Sequence, residues 1–285
     1  MILVTGSTGN VGQHVVRELM AINVPFRALA HTSAKAKALE AQGIEAVVGD
    51  FADGTSIRTA LQGIERVFLL LPDSPRRVQL EKDFLTEARR AAVRHVVKLS
   101  ILGANSQAAA PILKWHGQSE QQLEASSLAY THLRVNWFMQ DMLADQARSI
   151  AQESTIYQPH EEAHVSLLDT RDVGAVAAKV LTETGHEGRA YEITGPEALS
   201  FSQIAEKLSA YLGKPVVYSR ISDAMAWQNM LANGVPAHTA HNYLTLFQFH
   251  RQGGGAVLTG FIEILTGRPA RTLDGFIAEN IQGFK

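Results

Sequence analysis

Short apolar runs alternate with helical patterns along the first half of the chain. Ile2–Thr5, Phe26–Ala30, Ala46–Val48, Val67–Leu71, His95–Leu99 and Thr131–Val135 read as strands. Most are nearly continuous apolar runs, the pattern of parallel strands buried on both faces. Helical spacing marks Val11–Ile22, Ser33–Gln42, Thr55–Gln62, Arg76–Ala92 and Gly117–Ser126; in the first, Val11, Val15, Leu19 and Ile22 recur on one face. Such a regular strand–helix alternation predicts right-handed βαβ units and an α/β fold: a Rossmann-type, doubly wound parallel sheet.

After about residue 143 the rhythm changes. Asp172–Thr184 reads as a helix and Arg189–Thr194 as a further strand. Phe201–Leu212 is a helix with Ser200 as N-cap, ended by Gly213 and Pro215, and Val216–Ser219 is a short strand. Ala224–Leu231, Thr239–Phe249 and Leu273–Asn280 are helical. The expected organisation is a dinucleotide-binding domain over 1–142 with about 170–195. A smaller, mostly helical substrate region covers about 143–169 with 196–285.

Composition narrows the classes. With 285 residues the chain can bury a full core without staples, and 46% hydrophobic against 19% charged residues is globular. Lys+Arg 26 against Asp+Glu 28 leaves a formal net charge of −2, which argues against nucleic-acid binding. The absence of cysteine excludes disulfides, thiolate metal sites and thiol nucleophiles. The N-terminus lacks a signal-peptide pattern and no apolar stretch reaches about 18 residues, so a cytoplasmic protein is expected.

The strongest chemical signal follows the first strand. Gly6-Ser-Thr8-Gly9-Asn10-Val11-Gly12 leads straight into a helix. Glycines at that spacing let the backbone approach a pyrophosphate, and the helix N-terminus receives its charge. The alternative is a tight turn without ligand. NAD-binding chains carry an acid at the end of the second strand; here Leu29-Ala30-His31-Thr32-Ser33 has none before Glu40. His31 and Lys35 suit a 2′-phosphate, so NADP(H) is expected ahead of NAD(H), unless His31 is a plain surface residue. Asp50 and Phe51 would flank the adenine, with a loop cap as the other reading of Asp50. Leu70, Leu71 and Pro72 would lie along the cofactor.

These residues resemble the NmrA-like atypical short-chain dehydrogenases. The resemblance begins at Val4-Thr5-Gly6-Ser7-Thr8-Gly9-Asn10-Val11-Gly12 and continues through Ala34–Leu39, Gly49-Asp50-Phe51, Leu133–Phe138, Asp169–Val173 and Leu265–Pro269, nearly end to end. The nearest groups are NADPH-dependent quinone oxidoreductases and triphenylmethane and azo dye reductases, and the family also holds non-catalytic dinucleotide-binding regulators. The resemblance implies an NAD(P)H-dependent reductase for a small aromatic acceptor, with a redox sensor as the rival reading, acting as monomer or homodimer.

Two departures stand out. The family's usual Arg after the second strand is His31 here. The catalytic Tyr-x-x-x-Lys of short-chain dehydrogenases is also missing. With Glu120 aligned on the Glu of extended members, His116 falls at the Lys position and Ile112 at the Tyr position, and no Tyr lies between Ala109 and Ala129. The quinone and dye reductases also lack the Tyr and show His there. Quinones and cationic dyes accept hydride readily, so positioning can carry the reaction.

The expected catalytic set is His116, Ser100 and Asn136. Ser100 takes the family's Ser/Thr position, also contacting cofactor, or else serves as a cap. His116 holds the nicotinamide ribose or donates to a substrate oxygen, or else is a buried polar residue. Asn136 fixes a carboxamide or substrate oxygen. Trp137, Phe138 and Trp115 are expected at the substrate, although core packing of Trp137 fits equally.

His160-Glu161-Glu162-Ala163-His164 matches the H-E-x-x-H zinc pattern, but Pro159 precedes it and a strand-like Val165-Ser166-Leu167-Leu168 follows, where that motif needs a helix. No metal is expected. His238 and His241 read as surface or lid residues. The aromatic run Tyr243–Phe249 would cover the nicotinamide or pack in a core or dimer contact.

Overall fold

The computed structural model describes the backbone of residues 1–285 and every side chain except that of Leu143. The N-terminal half alternates β1 (Ile2–Val4), α1 (Gly12–Ala21), β2 (Phe26–Ala30), α2 (Ser33–Glu40), β3 (Glu45–Val48), α3 (Gly54–Ala60), β4 (Arg66–Leu69), α4 (Arg77–Arg90), β5 (His95–Ile101), α5 (Pro111–Glu124) and β6 (Ala129–Val135). There follow α6 (Met139–Glu153), β7 (Thr155–Gln158), β8 (His164–Val165), α7 (Thr170–Thr182), β9 (Arg189–Ile193), β10 (Leu199–Ser200) and α8 (Phe201–Leu212). The chain ends with β11 (Val217–Arg220), α9 (Asp223–Ala232), α10 (Ala237–Arg251), α11 (Phe261–Thr266) and α12 (Leu273–Glu279).

Seven strands form one parallel sheet in the order β3-β2-β1-β4-β5-β6-β9. The order reverses between β1 and β4, and ligands of such sheets bind at the carboxyl ends of the strands beside that switch. Alternation along the strands feeds two cores. Ile2 and Val4 face α1 and α7 with Val15, Leu19, Val173 and Val176. Leu3, Val67 and Leu69 face α3 and α4 with Ile57, Leu61, Phe84 and Ala88. The expected α/β doubly wound sheet with a smaller, mostly helical C-terminal region is the observed architecture. A third cluster gathers α6, α8 and α12 through Met142, Ile150, Ile204, Leu208 and Phe276. No helix among the described residues is long and apolar enough to cross a membrane.

Three sequence expectations need correction. The helix expected from Gly117 starts at Pro111, because Pro at N1 sets φ and lacks only an N–H that would be unpaired anyway. β4 ends at Leu69 and β5 runs on to Ile101, so Ser100 lies inside a strand. α6 was not expected at all. Its inner stripe runs Met142, Gln146 and Ile150, and the buried amide of Gln146 interrupts the apolar period. That amide has a task, since its Oε1 accepts the Tyr157 N–H at 3.1 Å and seats β7 on α6.

Candidate active site

The glycine turn is built by close backbone contact. The Thr5 hydroxyl accepts from the Leu70 N–H at 2.8 Å and lies 3.0 Å from the Phe68 and Leu70 carbonyls, joining the ends of β1 and β4. Ser7 donates to the Leu29 carbonyl at 2.9 Å and joins the turn to β2. Gly6 has φ +63°, and the Gly9 N–H donates to its carbonyl at 2.9 Å. A Cβ on Gly12 would fall 2.1 Å from the Gly6 oxygen, so only glycine lets α1 begin this near the turn. No side chain caps α1 and no acid stands in its first turn. The Gln13 and His14 N–H groups donate to the Gly9 and Val11 carbonyls, and among the described residues those of Asn10, Val11 and Gly12 meet no carbonyl and are left for an anion, which is what a pyrophosphate requires.

The other expected cofactor residues spread around this turn. Thr8, Asn10, His31 and Lys35 are exposed, whereas Val11 is buried and offers only its backbone. Asp50 Oδ1 accepts the Ala52 N–H at 2.9 Å, the loop-cap role. Phe51 packs on Phe84 with ring centroids 5.4 Å apart. Leu70 stands over Gly6 and Pro72 is exposed, but Leu71 is 2% exposed and turns into the core behind β4. Leu71 therefore does not line a cofactor path with its side chain.

Beneath this edge lies a charged cluster that sequence reading missed. Arg77, 2% exposed, donates to Asp73 Oδ1 at 2.6 Å and to the Leu71 carbonyl at 2.9 Å, and reaches toward the Leu99 carbonyl at 3.5 Å. Glu81 lies 2.8 Å from Arg77 Nε and 2.8 Å from Lys98 Nζ. The two cations and two carboxylates balance, as buried charges must. Arg77 thereby clamps the carboxyl ends of β4 and β5.

His116 Nε2 lies 3.3 Å from Asp73 Oδ1, and its Nδ1 is buried without a partner. Burial, with Arg77 nearby, pushes the imidazole down to about 4, so it is neutral. Burial also works on Asp73, yet the hydrogen bond with His116 and the Arg77 charge hold its carboxyl well below the usual range. An ionised Asp73 takes the Nε2–H, which leaves Nδ1 only a lone pair. His116 in this state cannot donate to a substrate oxygen, and its Nδ1 is closed off from the surface, so the donor role expected of it is corrected to that of a buried polar residue holding Asp73. Asp73, half-exposed, is the member of the pair that faces out.

Other expected site residues are committed elsewhere. Ser100 is 1% exposed and donates to Glu120 Oε1 at 2.5 Å, and Glu120 is also gripped by Arg134 at 2.6 Å. Glu120, Glu124 and His132 bring donor atoms within 4.8 Å of one another, but Arg134 already supplies the cation that Glu120 faces. Asn136 donates to Ser166 Oγ at 2.7 Å and the Gly255 carbonyl at 2.8 Å, and accepts the Trp137 N–H at 2.9 Å. Both donors of its amide are taken, tying the end of β6 to Ser166 after β8 and to Gly255 after α10, so it acts as a latch with no N–H left for a substrate oxygen. Phe138 is the N-cap of α6, bridges to Leu168 and packs against the sheet core, and it also lines a narrow recess beside Trp137. Trp115 is half-buried on α5 and lines neither of the cavities beside Trp137.

Trp137 does face a cavity. About 590 Å³ lies between α6, β7, α9 and α10, lined by Trp137, Asp145, Tyr157, Met230, Tyr243 and Phe247 among others. Behind Trp137, His160 stacks at 5.1 Å, and Phe247 packs 5.7 Å from Trp137. His160 Nε2 meets His250 Nδ1 at 3.1 Å, one donating and one accepting. Burial, joined by the His250 and Arg251 charges, lowers His160 to about 2, and burial lowers His250 to about 3. His160–His164 is thus a turn entering β8, with Glu161 at φ +52°, as the sequence suggested. His238 and His241 are exposed on α10. Within Tyr243–Phe249, Phe247 is 5% exposed and Tyr243 is 37% exposed at the cavity, so the run divides between packing and lining.

Comparison with known proteins returns one consistent picture. The model of the NmrA-like family matches residues 1–264. The chain is 37% identical over 284 residues to the NAD(P)H azoreductase of Xenophilus azovorans, covering 100% of this chain and 99% of that one. It is 31% identical over 240 residues to quinone oxidoreductase 2 of Escherichia coli, covering 83% of each. The solved NADPH complex of an Escherichia coli NADPH-dependent quinone oxidoreductase superposes with TM-score 0.91 at 29% identity, over 99% of this chain and 100% of that one. The Citrobacter sp. triphenylmethane reductase with NADP(H) shares the fold, with TM-score 0.87 at 24% identity over 98% and 99%.

Proposed function

The chain belongs to the NmrA-like family, and from that premise we propose that it is an NAD(P)H-dependent oxidoreductase that delivers hydride to a quinone-like or azo- or triphenylmethane-dye-like acceptor. The observation that carries this reading is a glycine turn with an uncapped helix N-terminus at the sheet's switch point, in a chain 37% identical end to end to an azoreductase. The turn suits a dinucleotide: Gly12 lets α1 start directly against the Gly6 carbonyl, and the Asn10, Val11 and Gly12 N–H groups, which meet no carbonyl among the described residues, are available to phosphate. His31 and Lys35 stand at the end of β2 for a 2′-phosphate, with NADP(H) preferred and NAD(H) also accepted. When bound, the reduced nicotinamide supplies the hydride.

The residues then have separable roles. Arg77 fixes the ends of β4 and β5. His116, kept neutral by burial, acts as a positioning residue for Asp73, the exposed member of the pair. Ile112, 9% exposed, stands where the dehydrogenase Tyr would be and carries no proton. Trp137, Tyr243 and Phe247 give the cavity flat apolar walls suited to an aromatic acceptor. The region of α6 and of residues 196–285 around that cavity serves as the substrate side.

The test is acceptor-dependent consumption of NADPH, then NADH, by the purified protein with 1,4-benzoquinone, 4-aminoazobenzene and crystal violet. Saturable consumption is expected with NADPH ahead of NADH. Tight dinucleotide binding without turnover would make the chain a redox sensor instead.

A further inference from the structure

Reduction of a quinone or an azo group takes a hydride and a proton, and the two α5 positions at the dehydrogenase Tyr and Lys places offer none here. Ile112 has none, and the Nε2–H of His116 is held by Asp73. The strand end that carries Trp137 runs directly into α6, whose first turn holds Asp141. Asp145 stands four residues on, which places both carboxylates on one face of that helix. Across from them, on α10, is Tyr243. A narrower recess containing Asp141 adjoins the large cavity, and the two share Trp137, Asp145, Gln146 and Gln158.

We propose, building on the reductase reading, that Asp141 is the acid that protonates the acceptor as hydride arrives, with Asp145 and Tyr243 as its neighbours in proton exchange with solvent. In an azo acceptor the N=N π bond breaks. One nitrogen takes the hydride from the dihydronicotinamide and the other takes the proton as the Asp141 O–H bond breaks, giving the hydrazine. Asp141 is left as carboxylate and regains a proton through Asp145, which opens to the cavity.

The electrostatics agree with this placement. A carboxylate in the first turn of a helix is ordinarily favoured by the helix dipole. Burial, helped by the Asp145 charge, nevertheless raises the Asp141 carboxyl to about 6, and the Phe138 amide and Trp137 indole offset this only in part. Burial raises Asp145 as well. The Tyr243 phenol is raised to about 12 by burial and by Asp141, Asp145 and Asp73. Asp141, Asp145 and Tyr243 thus all favour holding a proton at this corner, Asp73 adds a fixed negative charge from the loop after β4 that Arg77 partly offsets, and Arg148 of α6 lines the same cavity.

The experiment exploits two acceptors with different proton demand. 4-Aminoazobenzene needs hydride and proton, whereas the crystal violet cation becomes neutral on taking hydride alone. For the wild-type protein, kcat with 4-aminoazobenzene should fall about tenfold per pH unit above about 6. Crystal violet should show no such limb. Asp141→Asn should abolish the limb and lower kcat for the azo acceptor at least about tenfold, with NADPH affinity by calorimetry unchanged. Asp145→Asn, by removing a like charge, should move the limb to lower pH. The same limb with both acceptors, a flat azo profile, or a limb that survives Asp141→Asn overturns the assignment. If no acceptor consumes NADPH, the reductase reading itself falls, and the acid falls with it.

Discussion

The cofactor edge and the acceptor cavity are built on opposite principles. At the cofactor edge the key contacts are local in sequence and made by backbone: Gly6 to Gly12, with Thr5 and Ser7 tying the turn to neighbouring strands. Its buried polar support is a balanced set of charges, Asp73, Arg77, Glu81 and Lys98. The cavity instead gathers side chains from residues 137 to 247: Trp137, Tyr243 and Phe247 beside polar groups such as Asp145, Arg148 and Glu153, with a neutral imidazole pair, His160 and His250, packed among aromatic rings behind Trp137. The glycine turn rests on fixed backbone geometry above compensated charges, whereas the cavity is assembled from aromatic and polar side chains of distant segments.

The most disruptive way to separate the two is at the glycine turn. Gly12→Val forces side-chain atoms into the Gly6 carbonyl and should weaken NADPH binding by at least about a hundredfold, while crystal violet binding at the cavity persists. Calorimetry with each ligand measures this, and retained NADPH affinity would dissociate the turn from the dinucleotide.

Next in size is the charged cluster. Arg77→Met leaves Glu81 to Lys98 alone and Asp73 to the neutral His116, and it frees the ends of β4 and β5. Removing one partner of a buried ion pair costs about 3–5 kcal/mol, read by denaturant unfolding. A loss below about 1 kcal/mol would mean that the cluster is only decorative.

Acid should weaken both regions, through His116, lowered to about 4, at the cofactor edge and through two imidazoles on the cavity side. His160 and His250 are lowered to about 2 and about 3, so the unfolded chain, with imidazoles near 6.5, binds protons that the native pair refuses. Stability contributed by these residues is flat above about 6.5. It falls by about 1.4 kcal/mol per pH unit for each as pH drops below that value toward their native pKa. Asp141, raised to about 6, opposes this between about 6 and 4, so the net loss follows the imidazoles less one carboxyl. His160→Phe should flatten the acid limb measured by thermal unfolding; an unchanged limb would place the acid sensitivity elsewhere. The smallest effect is expected at the rim of the cofactor edge, where His31→Arg should raise the NADPH-over-NADH ratio of kcat/KM by about tenfold.

The same contrast explains what the sequence revealed. The sheet and the glycine turn follow from neighbouring residues: apolar runs at strand spacing, then three glycines before a helix. Asp73 and Arg77 escaped notice because their meaning depends on Lys98 and His116, brought beneath them only by the folded sheet. Asn136 and Ser100 sat at the expected strand ends, yet their partners Gly255 and Glu120 come from distant elements and had already claimed their hydrogen bonds. α6, and with it Asp141 and Asp145, was hidden because a buried Gln146 interrupts the apolar stripe that marks a helix.

Direct transfer of hydride between the two regions is the central claim. It is tested most simply with NADPH deuterated on C4 and crystal violet, the leuco product being weighed by mass spectrometry. The account predicts that deuterium from one face of the nicotinamide appears on the central carbon of the leuco dye. NADPH bound without turnover, or a leuco dye that carries only solvent hydrogen, would contradict it.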